Sequence, residues 1–296
     1  MAITKNGMYV ICGRPNVGKS TLANALAGEK VAIVSSKPQT TRNRITAVCE
    51  RGDTQFVFMD TPGFHKARNK LGEYMNDVVR ESVTDVDAAV LVVEPEAEVG
   101  KPEAILIDRI REMGLPAVLV INKRDTIKPP EVLGVIAAYQ KAYDFAEYLP
   151  ISAKNNEGVD TLLDVLERFA QEGGALYPED MASDQTERQI AAEVIREKML
   201  ICLEREVPHG VAVAIDRYER EDGILNISAT IYCEKESHKG IIIGAKGAML
   251  KRIGELAREE LESARGEKIF LETWVKVKEN WRDSIAQLKN FGYAES

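Results

Sequence analysis

The stretch Gly13-Arg-Pro-Asn-Val-Gly18-Lys19-Ser20 follows a short apolar run, Met8–Cys12, and opens a helical pattern, Ser20–Ala27. That order leaves few folds open. A glycine-rich turn between a buried strand and a helix points backbone N–H groups inward at the positive end of the helix dipole, which makes a cradle for phosphates. In this loop Gly13, Asn16, Val17, Gly18, Lys19, Ser20 and Thr21 are expected to hold the phosphates of a nucleotide. The Lys19 ammonium reaches the β and γ phosphates, and the Ser20 hydroxyl takes a Mg2+ ion.

The following 150 or so residues repeat the alternation. Strands are expected at Met8–Cys12, Ile45–Glu50, Gln55–Met59, Ala88–Val93, Ala117–Ile121 and Tyr148–Ile151. Helical patterns lie between them at Ser20–Ala27, Tyr74–Val83, Glu103–Met113, Glu131–Tyr143 and Gly158–Gln171. Continuous aliphatic runs suit parallel strands buried on both faces, and their alternation with helices predicts a doubly wound α/β domain with a mostly parallel sheet.

Further short motifs stand at the ends of these strands, where such sheets bind ligands. Asp60-Thr61-Pro62-Gly63 follows Gln55–Met59: Asp60 can hold Mg2+, through a water, and Gly63 can offer its N–H to the γ phosphate. Asn122-Lys123-Arg124-Asp125 follows Ala117–Ile121 and selects the base. A carboxylate at Asp125 accepts from both N1–H and N2–H2 of guanine, whereas adenine would leave it unpaired, so GTP and GDP are the expected nucleotides. Lys123 can lay its stem over the ring, and Asn122 can tie the base loop to the phosphate loop. Ser152-Ala153-Lys154 follows the last strand, with the Ala153 N–H placed for guanine O6.

One threonine must close onto Mg2+ and the γ phosphate from the loop Pro38-Gln39-Thr40-Thr41-Arg42. Thr41 is expected, with Thr40 competing. The expected metal ligands are therefore Ser20, Thr41 and Asp60, and hydrolysis is expected to rest on Lys19, Thr41, Gly63 and Asn16. The Asn16 amide oxygen can help hold a monovalent cation such as K+ between the phosphates. Ras-like enzymes orient the attacking water with a glutamine after D-x-x-G, but this chain has Phe64 there, so intrinsic turnover is expected to be slow. His65 is discounted as a base, because phosphoryl transfer depends on positioning and charge. Arg42 and Arg44 are read as mobile surface arginines rather than as an internal arginine finger.

Composition shifts after Gly173-Gly174. The polar, Pro-containing segment 175–185 reads as a linker. It separates a nucleotide-binding domain, 1–174, from a second domain, 186–296, a size that suits two domains. In the second domain a long helix, Thr186–Glu204, precedes strands at Val211–Tyr218 and Ile224–Cys233. A Gly-punctuated stretch, Lys239–Gly247, leads to a helix over Ala248–Ala264, a strand at Lys268–Lys278 and a last helix over Trp281–Lys289. This is a small α+β domain. Overall charge is −8, which argues against a protein coated in nucleic acid. Yet Lys235 to Arg252 holds five basic residues (Lys235, Lys239, Lys246, Lys251, Arg252) against one acid, Glu236. Within that window Gly244-Ala245-Lys246-Gly247 is a G-x-x-G loop of the kind that clamps single-stranded nucleic acid. Lys246, Lys251 and Arg252 supply charge, and Ile241, Ile242 and Ile243 are expected to floor a base groove.

The four cysteines, Cys12, Cys49, Cys202 and Cys233, form no C-x-x-C pair. No apolar run approaches the ~18 residues of a membrane span, and the first residues lack the apolar stretch of a secretory signal. A reducing cytoplasm is the expected compartment.

Taken together, the motifs at Gly13–Ser20, Asp60–Gly63, Asn122–Asp125 and Ser152–Lys154, followed by Gly244–Gly247, resemble the Era-type GTPases, bacterial ribosome-assembly GTPases with a C-terminal KH domain. The likeness extends to Gln39-Thr-Thr-Arg42, Tyr177-Pro-Glu-Asp180, Ile195-Arg-Glu-Lys198, Glu206-Val-Pro-His209 and Trp274-Val-Lys-Val277. It implies a type II KH topology, a monomer, the 3′ end of 16S ribosomal RNA as ligand, a role in 30S subunit maturation, and peripheral association with the inner face of the membrane. It also implies that a hydrophobic residue in place of the glutamine, as at Phe64, is ordinary. Two departures stand in the second domain: Ala245 where a basic residue is common, and His238 where glutamine is common. The alternative is a signalling or membrane-associated GTPase whose KH-like domain binds protein. The single nucleotide domain and the intact Gly244–Gly247 loop speak against it.

Overall fold

A computed structural model describes residues 2–37, 39–63, 69–82, 85–204 and 207–293. The chain forms two compact units: Met1–Ala67 with Met75–Asp184, and Arg68–Tyr74 with Gln185–Ser296. Val83, expected to end a helix, lies outside the described residues, as do Pro38, Phe64, His65 and Glu206.

In the first unit the strands are β1 (Lys5–Cys12), β2 (Ile45–Arg51), β3 (Thr54–Asp60), β4 (Ala88–Val93), β5 (Ala117–Ile121), β6 (Glu147–Pro150) and β7 (Gln171–Glu172). The helices are α1 (Lys19–Ala27), α2 (Lys70–Glu81), α3 (Lys101–Met113), α4 (Pro129–Gln140) and α5 (Val159–Leu166), with α2 running across the boundary of the units. The sheet order is β2-β3-β1-β4-β5-β6; only β2, against β3, and β7, against β1, run antiparallel. β3, β4 and β5 are buried along their whole length, which is why β4 and β5 consist wholly of aliphatic residues. Strand alternation divides the side chains between two cores. Tyr9, Ile11, Val90 and Val92 face α1 and α5, whereas Val10, Cys12, Leu91 and Val93 face α3 and α4. From β1 the chain crosses to β3 on one side and later to β4 on the other. The crevice at the carboxyl end of β1 is therefore the topological switch point, where a doubly wound sheet binds its ligand.

Two parts of this unit differ from the sequence expectation. The helix read as Gly158–Gln171 stops at Leu166, passes through a 3-10 turn at Glu167–Phe169, and becomes β7. The reason is a vacant ladder: β4 pairs with β1 only from Tyr9 onward, so β7 takes up Lys5 and Asn6. The segment read as a linker is strapped to the sheet. Gln55, fully buried on β3, accepts the N–H groups of Leu176 (2.8 Å) and Tyr177 (2.9 Å) and donates to the Tyr177 carbonyl (3.0 Å). Further along, Val48 N–H donates to the Ala182 carbonyl (2.8 Å) and Thr46 Oγ1 to Asp184 (2.8 Å).

The second unit has the order α6 (Glu187–Cys202), β8 (Ala212–Glu221), β9 (Ile224–Cys233), α7 (Glu236–Ile243), α8 (Ala248–Arg265), β10 (Ile269–Val277) and α9 (Ile285–Asn290). Its sheet runs β10-β9-β8, with β9 antiparallel to β8 and parallel to β10. Val194, Met199, Ile231, Ile253, Ala257 and Leu261 share one core between sheet and helices. α6 is closed by a capping box in which Thr186 and Gln189 satisfy each other's backbone N–H groups. α7 takes up the first part of the Gly-punctuated stretch. Gly240 inside it costs about 1 kcal/mol of helix propensity. Burying Ile242 completely returns roughly 1.5–3 kcal/mol, so packing overrides the glycine.

Candidate active site and nucleic-acid surface

The phosphate loop joins β1 to α1 at the switch point, and Gly18 caps α1. A cavity of about 300 Å3 opens beside it, lined among others by Asn16, Lys19, Ser20, Thr41, Gly63 and Lys123. A volume of this order suits a small ligand. Lys19 is 6% exposed, and its Nζ donates to the carbonyls of Gly13 (3.1 Å) and Arg14 (3.0 Å). Burial lowers its pKa, against the pull of Asp60. Gly63 lies directly under the loop: a Cβ there would come within 2.9 Å of Pro15, so only glycine allows the approach.

Three oxygens meet at one corner of this cavity. Ser20 Oγ donates to Asp60 Oδ2 (2.7 Å) and lies 2.8 Å from Thr41 Oγ1. Thr41 is buried, whereas Thr40 Oγ1 donates to the Lys37 carbonyl (2.6 Å) and pairs with Ser35 (2.7 Å). Of the two threonines, then, Thr41 is the one aimed at Ser20. Asp60 is fully buried, and its carboxyl is pushed up to about 6 by desolvation, with Lys19 and Ser20 pulling it back. Among the described residues its Oδ1 has no hydrogen-bond partner. An orphaned carboxylate oxygen beside two hydroxyls is a hard-oxygen donor set, and it fits Mg2+. Asn16 donates through Nδ2 to the Ser36 carbonyl (2.8 Å), which leaves its Oδ1 for another partner.

At the base end, Asn122 joins three loops. Its Nδ2 donates to the Val17 carbonyl (2.8 Å), and its Oδ1 accepts the Ala153 N–H (3.0 Å). The Ala153 amide, expected to face guanine O6, thus donates to Asn122 in this structure. Asp125 Oδ1 accepts from Ser152 Oγ (2.6 Å), a hydrogen bond that holds the Asp125 carboxyl below its usual range. Lys123 Nζ donates to the Asn16 carbonyl (2.8 Å) and pairs with Glu94. Lys154 lies beside this group, on the exposed surface. Glu94 was not picked out from the sequence; the available signal was a carboxylate immediately after an all-apolar strand. The expectation for Arg42 is corrected. It is 2% exposed, so it is a buried side chain rather than a mobile surface one, while Arg44 is exposed.

In the second unit, the G-x-x-G loop links α7 to α8. Gly244 has φ 70° and ψ 178°, and a Cβ on it would lie 2.7 Å from Met249 Cβ. Both facts require glycine. Ala245 and Lys246 are exposed on the turn, and Gly247 caps the 18-residue α8, whose N-terminus faces the same turn. Lys251 and Arg252 are exposed one turn on, with Lys251 3.8 Å from Glu255. The isoleucine run does not form one floor. Ile242 is completely buried in the core, because α7 turns it inward, while Ile241 is half exposed and Ile243 lies between.

Comparison with known proteins agrees with both halves of this description. The profile of a 50S ribosome-binding GTPase family matches residues 8–123, and that of a KH domain matches residues 206–282. The GTPase Era of Ruminiclostridium cellulolyticum is 49% identical over 290 residues, 98% of this chain and 97% of that one. GTPase Era of Clostridium kluyveri is 48% identical, covering 98% and 99%. A crystal structure of Era with MgGDPNP and nucleotides 1506-1542 of 16S ribosomal RNA superposes with a TM-score of 0.95 at 37% identity, over 98% of this chain and 99% of that one. An Aquifex aeolicus Era variant bound to GDP and AlF4− gives 0.94 at 36% identity, over the same shares.

Proposed function

The chain belongs to the Era family of GTPases, and on that premise we propose that it is a GTP-hydrolysing switch whose KH domain holds the 3′ end of 16S ribosomal RNA during 30S subunit maturation. The observation that carries the reading is one cavity lined by Lys19, Ser20, Thr41 and Lys123, with Asp60 hydrogen-bonded to Ser20 and, beside Lys123 in the chain, Asn122 tied to the phosphate loop and Asp125 to Ser152. The proposed division is a nucleotide domain over 1–174, a connecting segment over 175–185 and a KH domain over 186–296.

In this proposal the loop N–H groups and Lys19 bind the β and γ phosphates. A buried cation meeting a polyanion regains the charge partner that burial withheld. Ser20, Thr41 and Asp60 would hold Mg2+, which offsets the charge on the phosphate oxygens when bound. The Gly63 N–H is offered to the γ phosphate, and Asn16 Oδ1 is available to a K+ ion beside it. Asp125 reads the N1–H and N2–H2 edge, with its carboxylate held ionised and oriented by Ser152. Lys123 covers the ring, and Asn122, Ser152, Ala153 and Lys154 hold the loop. Catalysis in this arrangement is positioning and electrostatics, with no covalent step assigned to the protein.

RNA is proposed to run across the Gly244–Gly247 turn, its phosphates near Lys246, Lys251 and Arg252. A Lys246→Glu chain should bind a 3′-end RNA about tenfold or more weakly, since it turns a phosphate contact into a repulsion. Filter binding measures this, and the affinity for GDP should stay within twofold; equal loss of both would mean that folding, not contact, was disturbed. Cytoplasmic location with peripheral association at the membrane is the remaining part of the proposal. Among the described residues no helix is long and apolar enough to cross a membrane.

The deciding experiment is GTP turnover with and without a short RNA from the 3′ end of 16S ribosomal RNA, in potassium and then in sodium buffer. Stimulation by RNA supports a switch linking the two activities, and potassium dependence supports the Asn16 role. A chain that hydrolyses no GTP in either buffer, with or without RNA, would reject the reading.

A further inference from the structure

We propose that Glu94 is a positioning residue for guanine binding: its single carboxylate holds Lys123 of the base loop and Arg14 of the phosphate loop, and so sets the two ends of the nucleotide site against each other. The inference rests on reading that site as a GTP site.

Glu94 is the first residue after β4, at the carboxyl end of the central parallel strands. Its Oε1 accepts from Lys123 Nζ and its Oε2 from Arg14 Nη2. Each oxygen serves a different loop, so neither loop shifts without breaking a charge-assisted bond. Burial would raise the Glu94 pKa, but the bonds to Lys123 and Arg14 outweigh it and hold the carboxyl below its usual range.

The two cations are not equally dependent on it. Arg14 also reaches Glu96 (3.0 Å) and, through Nε, the buried Glu103 (3.4 Å). Lys123 has only the Asn16 carbonyl besides Glu94 among its described partners. Its backbone is fixed in the left-handed region at φ 59°. With the ammonium pinned at Glu94 and Asn16, the stem that covers the base has already lost the rotamer freedom that a free lysine gives up on binding. Removing the Glu94 charge should therefore act on the nucleotide mainly through Lys123.

A double-mutant cycle tests this, using a fluorescent GDP analogue as probe and the full chain. E94Q is isosteric but neutral, and it should weaken binding roughly ten- to thirtyfold, the scale of a partly buried charged hydrogen bond. K123A should do about the same. The double variant should be no more than about threefold weaker than K123A, because the second change removes nothing further. Where E94Q lowers the melting temperature of the nucleotide-free chain, the cycle is run with E94D, which keeps the charge on a shorter arm. E94Q binding within twofold of wild type overturns the inference, as does a full, additive loss in the K123A background. Those outcomes leave the GTP reading intact, because the wild type in the same titration binds. A wild-type chain that does not bind GDP overturns both.

Discussion

An Asp125→Asn chain should exchange guanine for xanthine: GTP affinity falls at least about a hundredfold, some 2.7 kcal/mol, and xanthosine triphosphate becomes the better ligand. The geometry says why the exchange is clean. Ser152 Oγ donates to Asp125 Oδ1 at 2.6 Å, and an asparagine in the same rotamer can accept that bond through its amide oxygen. Its NH2 group then points where the second carboxylate oxygen was. There it opposes the guanine N2–H2 donors but suits the O2 acceptor of xanthine. Leaving donors face to face costs more than losing one bond, because both stay unsatisfied in the bound state. Competition of guanosine and xanthosine nucleotides against a fluorescent analogue measures the exchange. An unchanged order of preference would reject Asp125 as the base reader.

Lys19→Ala should lower GTP turnover by about a thousandfold or more, the scale of losing a preorganised donor to the phosphates together with its charge. The melting temperature of the nucleotide-free chain should move little, because two effects oppose each other. Removing Lys19 relieves the cost of burying an ammonium that is 6% exposed. It also takes away the main cation opposing Asp60, whose carboxyl then rises above its present value of about 6. Single-turnover hydrolysis at saturating GTP separates these consequences from weakened binding. A fall of less than tenfold would remove Lys19 from the reaction.

The sequence was most legible where one local rule sufficed. β4 and β5 coincide with their expected bounds because six and five consecutive apolar residues admit little but a strand buried on both faces. The phosphate loop was legible because its spacing, strand and helix are all contiguous. Where the outcome depended on distant partners, the local signal misled. Gly240 sits in a stretch whose helix no local signal delimits, and the core that receives Ile242 makes α7 a helix. The end of α5 was set by an open stretch of β1, more than 160 residues away in the chain. Thr40 and Thr41 carry the same hydroxyl, so no pattern of residues separates them; the position of Ser20 does. Glu94 belongs to the same class. Nothing nearby in the chain reveals that its carboxylate lies between Arg14 and Lys123, residues 80 positions before it and 29 after it.

The strap of residues 176–184 has a further consequence, for solubility. β2 is the outermost strand of its sheet, and an uncovered outermost strand is a template on which another chain can add itself. Val48 and Thr46 on that strand are met by Ala182 and Asp184, and the buried amide of Gln55 is satisfied by Leu176 and Tyr177. The connecting segment therefore shields the nucleotide unit from self-association. If the chain is cut after residue 184, that unit should stay monomeric by light scattering. Cut after residue 174, with every nucleotide motif intact, it should aggregate.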